Sequence, residues 1–292
     1  MSDRANSIST VAVLGAGTMG QGIAQAAAQA GYTVLLYDVQ LAWAKRGVEA
    51  IGSTLGKSVR AGRMAQAAAD LTLGRITAVE TLEYAAQAGL IIEAVPEQLD
   101  LKRDIFRQLD TLASPAAILT SNTSSLSIHA IASATQRRER VLGLHFFNPA
   151  QVMKLVEVVR TDFVSDSVLE TALDFVRRLD KQPVVCADTP GFVVNRIARP
   201  YYGEALRLLG EGVAPVSVID ALMETAGFKM GPFKLIDLIG VDVNLAVTES
   251  TYQAFFHDPK FRPHPLQARM MQSGRLGRKT GRGFYDYPEQ GT

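Results

Sequence analysis

A doubly wound α/β sheet followed by an all-helical domain is the architecture this sequence predicts. Three observations carry it. Short, nearly continuous apolar runs alternate with helical stretches through the first two-thirds of the 292 residues, as strands do when helices cover both faces of a sheet. The first run passes directly into a glycine-rich turn, Gly15-Ala16-Gly17-Thr18-Met19-Gly20. Beyond Pro190 the apolar spacing becomes helical, as in Ile197, Tyr201, Ala205 and Leu208, and strand-like runs become hard to find.

Taken in order, residues 11–14 predict the first strand and the Ala- and Gln-rich residues 21–30 the helix after it. Residues 32–37 predict the second strand and residues 90–95 the next. Residues 100–112 predict a helix, and residues 117–120, 141–146 and 155–159 three further strands. All six strands are expected to be buried and parallel. Asp188-Thr189-Pro190-Gly191 breaks the pattern with Pro and Gly. The expected domains are therefore residues 1–188, a nucleotide-binding α/β unit, and residues 189–292, a helical unit. No internal repeat is visible.

Composition narrows the function. Thirty basic against 29 acidic residues leave a net charge of +1, which argues against a protein that coats nucleic acid and gives no sign of one that seeks membranes. No apolar run approaches the roughly 20 residues that span a bilayer. The polar residues 1–7 lack the apolar core of an export signal. Cys186 is the one cysteine, so an intrachain disulfide is impossible and the expected compartment is the cytoplasm. Cys186 lies in an apolar run and reads as a small buried side chain. One cysteine and four histidines without ligand spacing argue against a transition-metal site.

The glycine turn is a G-x-G-x-x-G pattern placed between a strand and a helix. Gly15 allows the tight turn, Gly17 lets a pyrophosphate approach the backbone, and Gly20 lets the helix pack on the strand. Thr18 and Met19 open that helix, whose N-terminus attracts phosphate. Asp38 follows the second strand, 18 residues past Gly20, where a carboxylate can bind the adenosine ribose hydroxyls. Asp38 would repel a 2′-phosphate, and Val39 and Gln40 supply no arginine for one, so NAD is expected rather than NADP. FAD is not expected, because the rest of the chain shows partners for hydride transfer and no second flavin segment. Glu93 and Glu97 bracket the end of the run at residues 90–95, the edge of the sheet where ligands bind. Glu97 is expected to meet the nicotinamide half, with Lys102 as its counter-ion, as a substrate ligand or as a plain helix-surface lysine.

Two further segments carry the chemistry. His145-Phe146-Phe147-Asn148-Pro149 and Lys154-Leu155-Val156-Glu157-Val158 place a histidine and a glutamate 12 residues apart. Oxidation of a secondary alcohol removes a hydroxyl proton and a hydride, and histidine is the usual proton acceptor near neutral pH. Glu157 is expected to orient His145. The polar patch Ser121-Asn122-Thr123-Ser124-Ser125-Leu126-Ser127 reads as a helix cap together with hydrogen-bond donors for a substrate oxygen. No G-x-S-x-G elbow is present, so no serine reads as a nucleophile. His129 reads as a structural side chain on a helix, and His257 and His264 as solvated.

Together with Asp188-Thr189-Pro190-Gly191-Phe192-Val193-Val194-Asn195-Arg196, Met230-Gly231-Pro232-Phe233 and Gly281-Arg282-Gly283-Phe284-Tyr285, these motifs resemble the L-3-hydroxyacyl-CoA dehydrogenases over nearly the whole chain. The resemblance is to the stand-alone bacterial 3-hydroxybutyryl-CoA group in particular. It implies a Rossmann-type domain and a helical domain that forms a homodimer. It also implies a catalytic His145–Glu157 pair, and Ser124 and Asn195 at substrate oxygens. Glu97, Lys102 and Asn148, with Asn122, would line the nicotinamide end. Relatives meet CoA in the helical pair after Asp38 and are often lysine-rich there. In this chain Lys57 is the expected CoA phosphate contact, with Arg60 and Arg63 beside it. The implied substrate is a short acyl-CoA, as in butanoate and fatty acid metabolism. Alternatives are a dicarboxylic 3-hydroxyadipyl-CoA type of aromatic-acid breakdown, which the basic Arg196, Arg199 and Lys229 keep open, and a free hydroxy or sugar acid. Lysine-based β-hydroxyacid dehydrogenases share only the glycine pattern, and a silent nucleotide-binding protein would not need the full set of site residues.

Overall fold

The computed structural model describes residues 8–287. Residues 1–7, read above as a polar start without an export signal, and residues 288–292 lie outside the described residues. The chain divides into two compact units, Met1–Thr189 and Pro190–Thr292.

The first unit is built on one eight-stranded sheet. Its strands are β1 (Thr10–Leu14), β2 (Thr33–Tyr37), β3 (Ile76–Val79), β4 (Leu90–Glu93), β5 (Ile118–Ser121), β6 (Val141–Phe146), β7 (Leu155–Arg160) and β8 (Gln182–Ala187). They lie in the order β3-β2-β1-β4-β5-β6-β7-β8. Strand order reverses beside β1, which has β2 on one side and β4 on the other; ligands bind at such a switch point, outside the carboxyl ends of the strands. Helices α1 (Thr18–Gln29), α2 (Leu41–Arg60), α3 (Gln66–Leu73), α4 (Leu82–Ala85), α5 (Leu99–Leu112), α6 (Ile128–Ala132) and α7 (Asp166–Arg178) connect the strands. The α1 face that meets the core is Ile23, Ala24, Ala27 and Ala28, and its small side chains let the helix sit close to the sheet.

The sheet departs from the expected all-parallel one in two ways. β7 runs antiparallel to β6. Two strands, β3 and β8, were not among the six expected. β3 is a four-residue strand at one sheet edge with Thr77 exposed, and β8 is at the other edge with no fully buried residue. The β8 run Pro183-Val184-Val185-Cys186-Ala187 is apolar but contains a proline, which has no N–H to give a ladder.

The second unit contains α8 (Val194–Gly210), α9 (Val216–Thr225), α10 (Pro232–Ile239), α11 (Val241–Ala254) and α12 (Pro265–Gln272). Tyr202, Leu206, Ile219, Phe233, Ile236, Val241 and Met270 form its core. Asp220 is fully buried and accepts hydrogen bonds from the backbone N–H groups of Phe233 (2.8 Å) and Lys234 (3.0 Å) at the start of α10, and from the Tyr285 hydroxyl (2.8 Å). A buried carboxylate is held this way because each unpaired donor or acceptor would cost about 1–3 kcal/mol. His264, expected to be solvated, instead caps α12, with its Nδ1 accepting from Leu266 N–H at 3.2 Å. Among the described residues no helix is long and apolar enough to cross a membrane.

Candidate active site

The glycine turn follows β1. Gly15 has φ +101°, and a Cβ there would lie 2.6 Å from the Ala94 carbonyl oxygen. A Cβ on Gly20 would lie 1.7 Å from the Gly15 carbonyl oxygen, so α1 reaches the turn only because the position has no side chain. Gly17 differs. A Cβ on it would meet nothing within 4 Å, and it is the N-cap of α1 with no side-chain cap bond. The turn therefore presents open space and uncapped N–H groups, with Thr18 and Met19 beginning the helix. Asp38 stands beside it: Oδ2 accepts from Ala16 N–H (2.7 Å) and Oδ1 from Val39 N–H (2.8 Å).

A network of two carboxylates and a lysine sits at the ends of β4 and β5. Glu93 pairs in register with Leu14 of β1 and Ser121 of β5 and is fully buried. Its Oε1 accepts from Lys102 Nζ (2.6 Å) and Val95 N–H (2.7 Å), and its Oε2 from Ser121 Oγ (2.6 Å). Lys102 is 1 % exposed and also lies 3.3 Å from Glu97 Oε2. Glu97 Oε1 gathers Thr123 Oγ1 (2.6 Å), Ser124 N–H (2.9 Å) and Oγ (3.3 Å), and Ser125 N–H (3.2 Å) and Oγ (3.2 Å). Burial pushes the Glu97 pKa up, but the Lys102 charge and the bonds from Thr123 and Ser124 outweigh it and hold the carboxyl below its ordinary 4.5. Lys102 is thus neither a helix-surface lysine nor an open ligand; its ammonium is taken up by Glu93 and Glu97. Glu93 is the site residue that sequence reasoning left without a role. The signal was present, since a glutamate ending the run Leu90-Ile91-Ile92-Glu93 needs a buried partner.

His145 and Glu157 face one another across the antiparallel pair β6–β7. His145 Nδ1 is 2.6 Å from Glu157 Oε2; the carboxylate is fully buried and the imidazole is 6 % exposed. The ring centroid of His145 is 4.5 Å from that of Phe147. Asn122 joins the strands, its backbone N–H donating to Glu93 O (2.7 Å) and its Oδ1 accepting from Phe146 N–H (2.9 Å). Ser124 is half-buried on the loop gathered by Glu97, and Asn148 is exposed just past β6. Lys57 and Arg60 lie exposed in the last turn of α2, and Arg63 is exposed just beyond it. Asn195 belongs to the second unit, in the first turn of α8. His129 makes its own carboxylate contact, with Nδ1 2.6 Å from Asp188 Oδ2, which also accepts from Ser127 Oγ (2.9 Å) and His129 N–H (2.8 Å).

Residues 10–189 match the model for the 3-hydroxyacyl-CoA dehydrogenase NAD binding domain, and residues 191–287 match the model for the C-terminal domain of the same family. The chain belongs to the 3-hydroxyacyl-CoA dehydrogenase family. It is 48% identical over 281 residues to the 3-hydroxyadipyl-CoA dehydrogenase of Escherichia coli, covering 96% of this chain and 59% of that protein. The chain thus spans little more than half of that longer relative. It is 43% identical to the 3-hydroxybutyryl-CoA dehydrogenase of Bradyrhizobium diazoefficiens, covering 96% of each. The crystal structure of the (S)-3-hydroxybutyryl-CoA dehydrogenase of Ralstonia eutropha is 41% identical, with a TM-score of 0.92 over 97% of this chain and all of the other. The cofactor of this family is NAD, and the residues fit it. The unfilled space over Gly17, the N–H donors at the uncapped start of α1 and the carboxylate acceptor of Asp38 beside the turn are what a dinucleotide without a 2′-phosphate needs.

Proposed function

We propose that this 3-hydroxyacyl-CoA dehydrogenase oxidises the 3-hydroxyl of a short-chain L-3-hydroxyacyl-CoA to the 3-oxoacyl-CoA, reversibly. The observation that carries the reading is the buried His145–Glu157 contact of 2.6 Å in a chain whose relatives are named for this reaction on 3-hydroxybutyryl-CoA and 3-hydroxyadipyl-CoA. NAD, when bound, supplies the hydride acceptor.

The protein's own residues manage the proton. Nδ1–H of His145 donates to Glu157, which leaves the Nε2 lone pair to take the proton from the 3-hydroxyl. The charge then on the imidazolium is balanced by the carboxylate. In reverse, Nε2–H returns the proton to the forming alcohol. Ser124, gathered with its loop by Glu97, and Asn195 hold substrate oxygens. Lys102 acts through Glu97, and Asn122 and Asn148 stand with Glu97 at the nicotinamide end. Lys57 and Arg60, three residues apart near the end of α2, share a helix face and meet the CoA phosphates, with Arg63 beside them.

The same reading has the second unit form a homodimer. Exposed apolar side chains such as Ile197, Leu222, Phe228 and Leu238 support a covered face there. It also has the enzyme work in the cytoplasm, which its lone cysteine suits. The test is NADH formation from L-3-hydroxybutyryl-CoA or 3-hydroxyadipyl-CoA by the native protein and by His145→Gln. The native protein turns over at least one of them, and the variant loses about 10²–10⁴ in kcat while NAD binding survives. Unchanged turnover in the variant would sink the mechanism.

A further inference from the structure

Among its described residues the second unit buries a cation without a counter-ion. Arg199 on α8 is 5 % exposed. Its Nη1 donates to the Asn244 carbonyl oxygen (2.9 Å) and to Thr248 Oγ1 (2.9 Å), and its guanidinium stands 4.9 Å from the centroid of the Tyr202 ring. Among the described residues no carboxylate lies within ion-pairing distance of it. Burial lowers its pKa to about 10, so it is charged at neutral pH. Its Nε has no hydrogen-bond partner, and neither has the Nδ2 of Asn244, a residue 1 % exposed. Asn244 Oδ1 is already taken by Gln267 Nε2 at 2.8 Å. Two buried N–H donors on contacting residues therefore lack an acceptor, beside a positive charge that lacks an anion. Interiors rarely leave such groups unmet.

The groups still open define what fits. With Nη1 committed, the free edge of the guanidinium is the Nε side, the fork that receives both oxygens of a carboxylate. Arg199 also follows Asn195 by four residues on α8, so the two share a helix face with about 5–6 Å between their Cβ atoms. Some three carbon–carbon bonds of about 1.5 Å each cover most of that span. The other two basic residues of the region are differently placed. Arg196 is exposed and stacks on Phe255 at 5.1 Å, and Lys229 is exposed.

We infer that Arg199, with Asn244, receives the terminal carboxylate of a dicarboxylic 3-hydroxyacyl-CoA, so that the acyl chain ends in a carboxylate about three carbons past the hydroxyl-bearing carbon. The inference rests on the reading of Asn195 and the reaction given above, and it adds the class of the acyl end. Arg199 is here a specificity residue and takes no part in proton transfer.

The experiment compares kcat/KM for 3-hydroxyadipyl-CoA and 3-hydroxybutyryl-CoA in the native enzyme, Arg199→Met and Arg199→Lys. The expected result is a fall of about 10- to 100-fold in the adipyl-to-butyryl ratio in Arg199→Met, carried by KM, with partial recovery in Arg199→Lys. A ratio that does not move, or moves equally in a variant of the exposed Lys229, overturns the inference and leaves the reaction assignment standing. A native enzyme inactive on both substrates overturns both. A measurement on the native protein guards against a variant that does not fold. By titration calorimetry, adipyl-CoA binds at least about tenfold more tightly than hexanoyl-CoA of the same chain length. Equal or weaker binding overturns the inference.

Discussion

His145 and Glu157 are register partners on neighbouring antiparallel strands, and this turns a separation of 12 residues into a contact of 2.6 Å. The geometry of the pair is therefore set by the backbone ladder of the sheet. Replacing Glu157 by Gln keeps the size of the side chain and removes the charge opposite the imidazole. The expected outcome is a loss of about 10²–10⁴ in kcat with the NAD dissociation constant changed less than about twofold. Progress curves of NADH formation and a fluorescence titration measure the two. A kcat within about threefold of native removes Glu157 from the mechanism.

Gly17 and Gly20 lie in one turn and make opposite demands. At Gly20 an added methyl meets the Gly15 carbonyl, whereas at Gly17 it enters open space. Gly20→Ala is expected to lower Tm by more than about 5 °C, as overpacking in a domain of this size does. Gly17→Ala is expected to keep its Tm and raise the KM for NAD about tenfold or more. Thermal unfolding and steady-state kinetics decide, and equal effects of the two changes on Tm would contradict the assignment of the open space to the cofactor.

Glu97 makes a pH prediction. Its folded-state pKa lies below its ordinary 4.5, so the native state holds the ionised form better than the unfolded chain does. The stability this gives is present above that ordinary value and is lost as pH falls through the lower folded-state value. The Tm gap between the native protein and Glu97→Gln is expected to be widest near neutrality and to narrow as pH drops below about 4.5. A gap of constant size from neutral to acid pH would show that the carboxylate's charge does not contribute.

Cys186 is predicted to be inert. Burial, then the nearby carboxylates of Glu157 and Asp188, push its thiol up to about 12, and the thiolate is the reactive form. At mildly alkaline pH the folded protein is expected to react with a thiol reagent at least about 100-fold more slowly than the unfolded protein. Similar rates would mean that the thiol is open.

Much of this was legible in the sequence, for identifiable reasons. The interior strands are covered on both faces, so composition alone reveals β1, β2, β4, β5 and β6. The glycine turn is legible because each of its glycines answers a separate steric demand. The edge strand β3 is short and half-exposed, and the apolar run of β8 contains Pro183, which marks an edge rather than a covered strand. The reversal at β7 leaves no trace in hydrophobic pattern. Its cue was length, since residues 147–154 number eight, too few for the dozen or so of a parallel crossover. The hold of Glu97 on Thr123, Ser124 and Ser125 is invisible for another reason. It joins segments 26 to 28 residues apart, and only the finished sheet brings them together.

That short connection between β6 and β7 has a consequence for how the enzyme assembles. Residues that contact the cofactor turn are collected from several separate crossovers. His145 and Glu157 instead come from a single hairpin, residues 141–160. Closing a loop of eight residues costs little chain entropy. The His145–Glu157 contact is thus a local product of 20 contiguous residues.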